Sequence, residues 1–79
     1  MATAYVLINC DLGSEENVIS QLKSFGDVRE VRGTFGVYDI LAKLSSEKAD
    51  AIRDTITWKI RKINQIRSTL TLMGIEGQE

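Results

Sequence analysis

Seventy-nine residues hold one domain, and at that length a lone hydrophobic core rarely supplies more than about 3–5 kcal/mol without a disulfide, a metal or association. The single cysteine, Cys10, and the absence of histidine exclude an internal disulfide and a structural zinc, so association is the device that remains. Ten Lys plus Arg against eleven Asp plus Glu give a net charge of −1, which excludes binding of nucleic acid by bulk electrostatics.

Met1-Ala2-Thr3-Ala4 puts no positive charge ahead of an apolar run that ends at Cys10, too short for a signal peptide or a membrane span. The protein therefore reads as cytoplasmic. Tyr5-Val6-Leu7-Ile8 is apolar at successive positions, the mark of a central strand buried on both faces. Ser14 follows as an N-cap, with Glu15 and Glu16 in the first turn of a helix carrying Val18, Ile19, Leu22 and Phe25, and Gly26 stands at its C′ position. Val28 to Arg32 is β-prone but charged, as an edge strand should be. Gly33 to Gly36 turns the chain into Tyr38 to Leu44, a second central strand. Ser45 or Ser46 is expected to open a second helix with Ala49, Ile52, Ile56, Ile60 and Ile63 on one stripe. A last strand from Ile66 to Ile75 sets Thr69, Thr71 and Met73 on one face and Ser68, Leu70 and Leu72 on the other, before a short acidic tail from Glu76 to Glu79.

The order βαββαβ with right-handed crossovers predicts an α+β, ferredoxin-like fold, a four-stranded antiparallel sheet with both helices on one face. Residues 1–79 form a single unit, without proline or a Gly/Ser-rich linker. Because the central strands are apolar on both sides, the uncovered faces of two sheets are expected to pack together in a dimer.

Catalysis is not expected, since a Ser or Cys nucleophile here has no histidine base and Cys10 lies among apolar neighbours. Neither a cofactor nor a metal is called for. Glu15-Glu16 and the pair Asp50 and Asp54 read as cap chemistry and solvated faces. Lys59, Arg61, Lys62 and Arg67 read as charge near a helix C-terminus, and no interleaved aromatics accompany them for base stacking. Trp58 lies opposite the isoleucine stripe and is expected in an oligomer interface. Gly33-Thr34-Phe35-Gly36-Val37-Tyr38-Asp39 permits a hairpin turn, or close approach of another backbone or a ligand.

Gly36-Val37-Tyr38-Asp39-Ile40-Leu41, followed after a helix by Ile66-Arg67-Ser68-Thr69-Leu70-Thr71-Leu72, resembles the effector domain of the Lrp/AsnC family of amino-acid-responsive transcription regulators, the RAM domain. The likeness runs from about Ala4 to Ile75, and without a preceding helix-turn-helix the chain resembles the stand-alone members. It implies a homodimer built through the sheets, assembled further into an octamer or similar ring, and a partner regulator carrying a related domain. It also implies a small effector, an amino acid, bound between dimers at Gly36, Tyr38, Asp39, Thr69 and Thr71. An ACT-like regulatory subunit of an amino-acid biosynthetic enzyme is the alternative, and an acylphosphatase-like enzyme is disfavoured because Asp11-Leu12-Gly13 offers an acid where a phosphate cradle wants an arginine.

Overall fold

Residues Ala2–Cys10 form the first strand, β1, and every second side chain along it, at Ala4, Val6, Ile8 and Cys10, is buried. In the computed structural model, which describes residues 1–75, β1 is followed by α1 (Glu15–Lys23), β2 (Val28–Gly33), β3 (Ile40–Ser46), α2 (Ala49–Trp58), a 3-10 turn (Ile60–Lys62) and β4 (Ile66–Met73). The tail Glu76 to Glu79 lies outside the described residues.

The strands make one antiparallel sheet in the order β2-β3-β1-β4. The two apolar strands, β1 and β3, are central, and the charged β2 is an edge, where Arg and Glu side chains discourage pairing with another chain. Register puts Ile8 opposite Ile40 and Val6 opposite Ala42, so the buried members of β1 and β3 share a face. Both helices cover that face, α1 through Val18 and Leu22, α2 through Ile52 and Ile56, and the stripe continues through Ile60 and Ile63. Ile8 is fully buried at the centre of this core. Truncating it to alanine should cost about 2–5 kcal/mol.

Several boundaries differ from the sequence reading: β4 ends at Met73 and not Ile75, and α2 ends at Trp58, with Ile60 in the 3-10 turn and Ile63 just beyond it. Ser45 and Ser46 do not cap α2; they pair with Thr3 and Ala2 as the end of β3, and Lys48 precedes the helix without a side-chain cap. Gly26 is not a left-handed C′ residue, because α1 stops at Lys23 and Ser24 turns its hydroxyl back to the Gln21 carbonyl at 2.6 Å. Tyr38 and Asp39 precede β3 instead of opening it. Ser14 does sit at the α1 N-cap position, yet its hydroxyl donates to the Asp11 carbonyl at 2.6 Å and makes no side-chain cap bond to the helix. No helix among the described residues is long and apolar enough to cross a membrane.

Candidate functional site

The segment between β2 and β3 is held from both ends. The Thr34 N–H donates to the Asp39 carbonyl at 2.8 Å, and the Thr34 hydroxyl donates to the Tyr38 carbonyl at 2.7 Å. Asp39 anchors this loop to β1, its N–H donating to the Ile8 carbonyl at 2.9 Å while its carboxylate accepts from the Cys10 N–H at 3.0 Å. Gly36 lies at φ +114°, a conformation that L side chains rarely adopt, and a Cβ placed there would meet nothing within 4 Å. The loop is therefore a fixed, open projection whose tip presents Phe35 and Val37 to solvent.

Cys10 sits beneath this loop. Burial pushes its thiol above the ordinary range; a Ser14 hydrogen bond opposes the shift, and the nearby charges of Asp39, Glu15 and Asp11 add to it. A protonated, buried thiol is a poor nucleophile.

Thr69 and Thr71 lie on β4 opposite Ile8 and Val6, so their side chains project to the helix-covered side of the sheet. Gly36, Tyr38 and Asp39 are thus brought together in one loop, and the two threonines share a second location. β1 separates the two groups, a span of about 10 Å between the β3 and β4 backbones at two strand spacings. Trp58 ends α2 with 66% of its surface exposed, and the Lys62 amino group stands 5.8 Å from the centre of its ring.

On the opposite side of the sheet, register aligns Leu41, Leu7 and Leu70 in one row across three strands, and Lys43, Tyr5 and Leu72 in the next. Leu70 and Leu72 remain 45% and 52% exposed, while Leu7 and Leu41 are half-buried. An ion pair at 3.2 Å between Arg32 and Glu30 borders this face along β2. An apolar centre with a charged margin is the layout of a protein contact surface. The row could not be picked out from sequence alone, because it depends on strand register as well as alternation.

Comparison with known proteins gives a consistent picture. The profile of the family described as Lrp/AsnC ligand binding domain matches residues 3–76. The regulatory protein AsnC of Haemophilus influenzae is 34% identical over 62 residues, which cover 78% of this chain and 41% of that protein. The chain thus spans about two-fifths of that relative's length. The crystal structure of FFRP-DM1 superposes with a TM-score of 0.90 at 32% identity, covering 95% of this chain and all of the other. The transcriptional regulator NMB0573 of Neisseria meningitidis, solved as a complex with L-Met, shares the fold at a TM-score of 0.85 and 9% identity, covering 99% of this chain and 52% of that one.

Proposed function

The chain belongs to the Lrp/AsnC ligand binding domain family, and from that premise we propose that it is an amino-acid-sensing and oligomerising module that modulates Lrp/AsnC-type transcription regulators through their related domains. The curated relative it matches is a regulatory protein, and the chain has no histidine to serve a nucleophile. Two subunits pack their leucine-bearing sheet faces together, and dimers join into a ring. The effector sits where the loop Gly36 to Asp39 of one dimer meets β4 of another. At that junction the Gly36 backbone admits close approach, the second oxygen of the Asp39 carboxylate receives an α-amino group, and Tyr38, Thr69 and Thr71 complete the wall.

The observation that carries this reading is the loop itself, anchored through Asp39 yet exposed at Gly36. The L-Met complex of the Neisseria regulator supports an amino acid as the ligand class. Phe35 and Val37 at the loop tip favour an apolar or aromatic one. Acting as a switch requires only that the effector bind one assembly state more tightly than another.

A calorimetric and thermal-shift screen of the proteinogenic amino acids tests this on the wild type and on Gly36→Val. Binding by the wild type and its loss in an intact Gly36→Val assembly support the junction site. Absence of binding by the wild type, or equal binding by the variant, refutes it.

A further inference from the structure

Residues 55–75 contain Lys59, Arg61, Lys62 and Arg67 and no acid. The fold gives most of these cations a neighbour. Lys59 stands over the Phe25 ring at 5.9 Å and Lys62 over Trp58, while Arg67 faces Asp11 at 3.8 Å. On α2, Arg53 faces Asp50 at 3.5 Å. The side chain of Arg61, in the 3-10 turn, has no hydrogen bond or ion pair among the described residues.

Two hollows of ≈ 360 and ≈ 370 Å³ open beside Arg61 where the 3-10 turn passes the edge of β4. Arg61 lines both. The first also has Arg67, Ser68 and Thr69 over Ile66, and the second Arg53, Thr57 and Thr71 over Ile56 and Met73. Among the described residues, no acidic side chain lines either hollow. A register irregularity against Asn9 and Cys10 leaves Arg67 as the unpaired residue of β4, and a bulge of this kind re-aims the side chain it carries. Three guanidinium groups around one strand edge repel one another, and concave walls focus their field. Hydroxyls alternating with planar guanidinium forks make the donor set that carboxylate and phosphate groups require.

We propose that this groove is an oxyanion site, taking a small ligand with two phosphate or carboxylate groups, one on each side of Arg61. Arg61 supplies the fork shared by both groups, with Arg67 and Thr69 closing on one and Arg53, Thr57 and Thr71 on the other. The groove is built within one subunit, so it does not depend on the junction between dimers, although it shares Thr69 and Thr71 with the effector wall.

The test is an NMR titration of the isotopically labelled protein at low ionic strength, with inorganic pyrophosphate in one arm and succinate in the other. Saturable shifts of the Arg61 side chain and of the Thr69 and Thr71 amides are expected, and the tighter-binding arm identifies the ligand class. Arg61→Gln should weaken binding about tenfold or more, as loss of a charge-assisted bond does. Arg29→Gln, at an exposed position on the far edge strand, and Gly36→Val should leave binding unchanged. The Gly36→Val arm separates failure of this site from failure of the amino-acid site. Lack of saturation with both probes, or equal weakening by Arg61→Gln and Arg29→Gln, overturns the proposal.

Discussion

The carboxylate of Asp39 accepts a hydrogen bond from the backbone N–H of Cys10, tying the loop before β3 to the last residue of β1. One residue thus has two tasks, since the oxygen that holds the loop is unavailable to a ligand. Asp39→Ala should lower stability by about 1–2 kcal/mol, as a partly buried N–H loses its charged acceptor. Asp39→Asn keeps a neutral acceptor and should stay close to wild type in urea unfolding while amino-acid binding falls. Equal loss of stability in both variants would assign Asp39 to the scaffold alone.

The row Leu41, Leu7 and Leu70 should be covered in solution, so no folded monomer of 8.8 kDa should be appreciably populated at micromolar concentration. Leu70→Lys tests the face without touching the core, because Leu70 lies on the open side of the sheet. A two-fold contact counts the change twice, at about 1.5–3 kcal/mol for each buried leucine. Light scattering coupled to size exclusion should show the variant at monomer mass and the wild type at twice that or more. A monodisperse wild-type monomer would end the idea of sheet-to-sheet packing.

Trp58→Ala should leave the dimer intact and weaken the larger ring by about 2 kcal/mol or more, the effect of removing an interface tryptophan. Trp58 faces away from its own sheet, so its removal should spare the subunit core. Sedimentation velocity across a concentration series separates the two species. An unchanged ring, or dissociation of the dimer, contradicts this placement.

Burial raises the Cys10 thiol, so the folded chain keeps its proton at pH values where the unfolded chain has lost it. The thiol's contribution to stability is therefore constant below the ordinary value of 9.0 and declines as pH rises above it. Urea midpoints measured on either side of that pH should fall more steeply for wild type than for Cys10→Ala. Parallel midpoints would mean that the thiol ionises alike in both states.

The core and strand order are legible in sequence because burial writes itself into alternation. Tyr5 to Ile8 and Ile40 to Leu44 announce central strands, and the charges of Arg29, Glu30 and Arg32 announce an edge. Boundaries are less legible, since local chemistry competes with pairing. Ser45 and Ser46 suit a helix cap as well as a strand end, and pairing with β1 decides between them. Ser24 likewise ends α1 before Gly26 is reached. Of the proposed site residues, the loop group can be read from its glycines, whereas the hollows around Arg61 depend on α2 tightening into a 3-10 turn after Trp58. The isoleucine stripe passes through that change without a break, so sequence carries no sign of it.

Pairing Ala4 with Met73 also governs how the molecule comes to be folded. β1 is central, yet both of its neighbours arrive later in the chain, β3 after one helix and β4 after two. During synthesis β1 must wait with one edge unsatisfied until β4 emerges, and closing so long a loop costs entropy before any contact offsets it. Assembly of the sheet is therefore non-local and late, and the nascent chain is most exposed to strand-mediated aggregation just before its final strand docks.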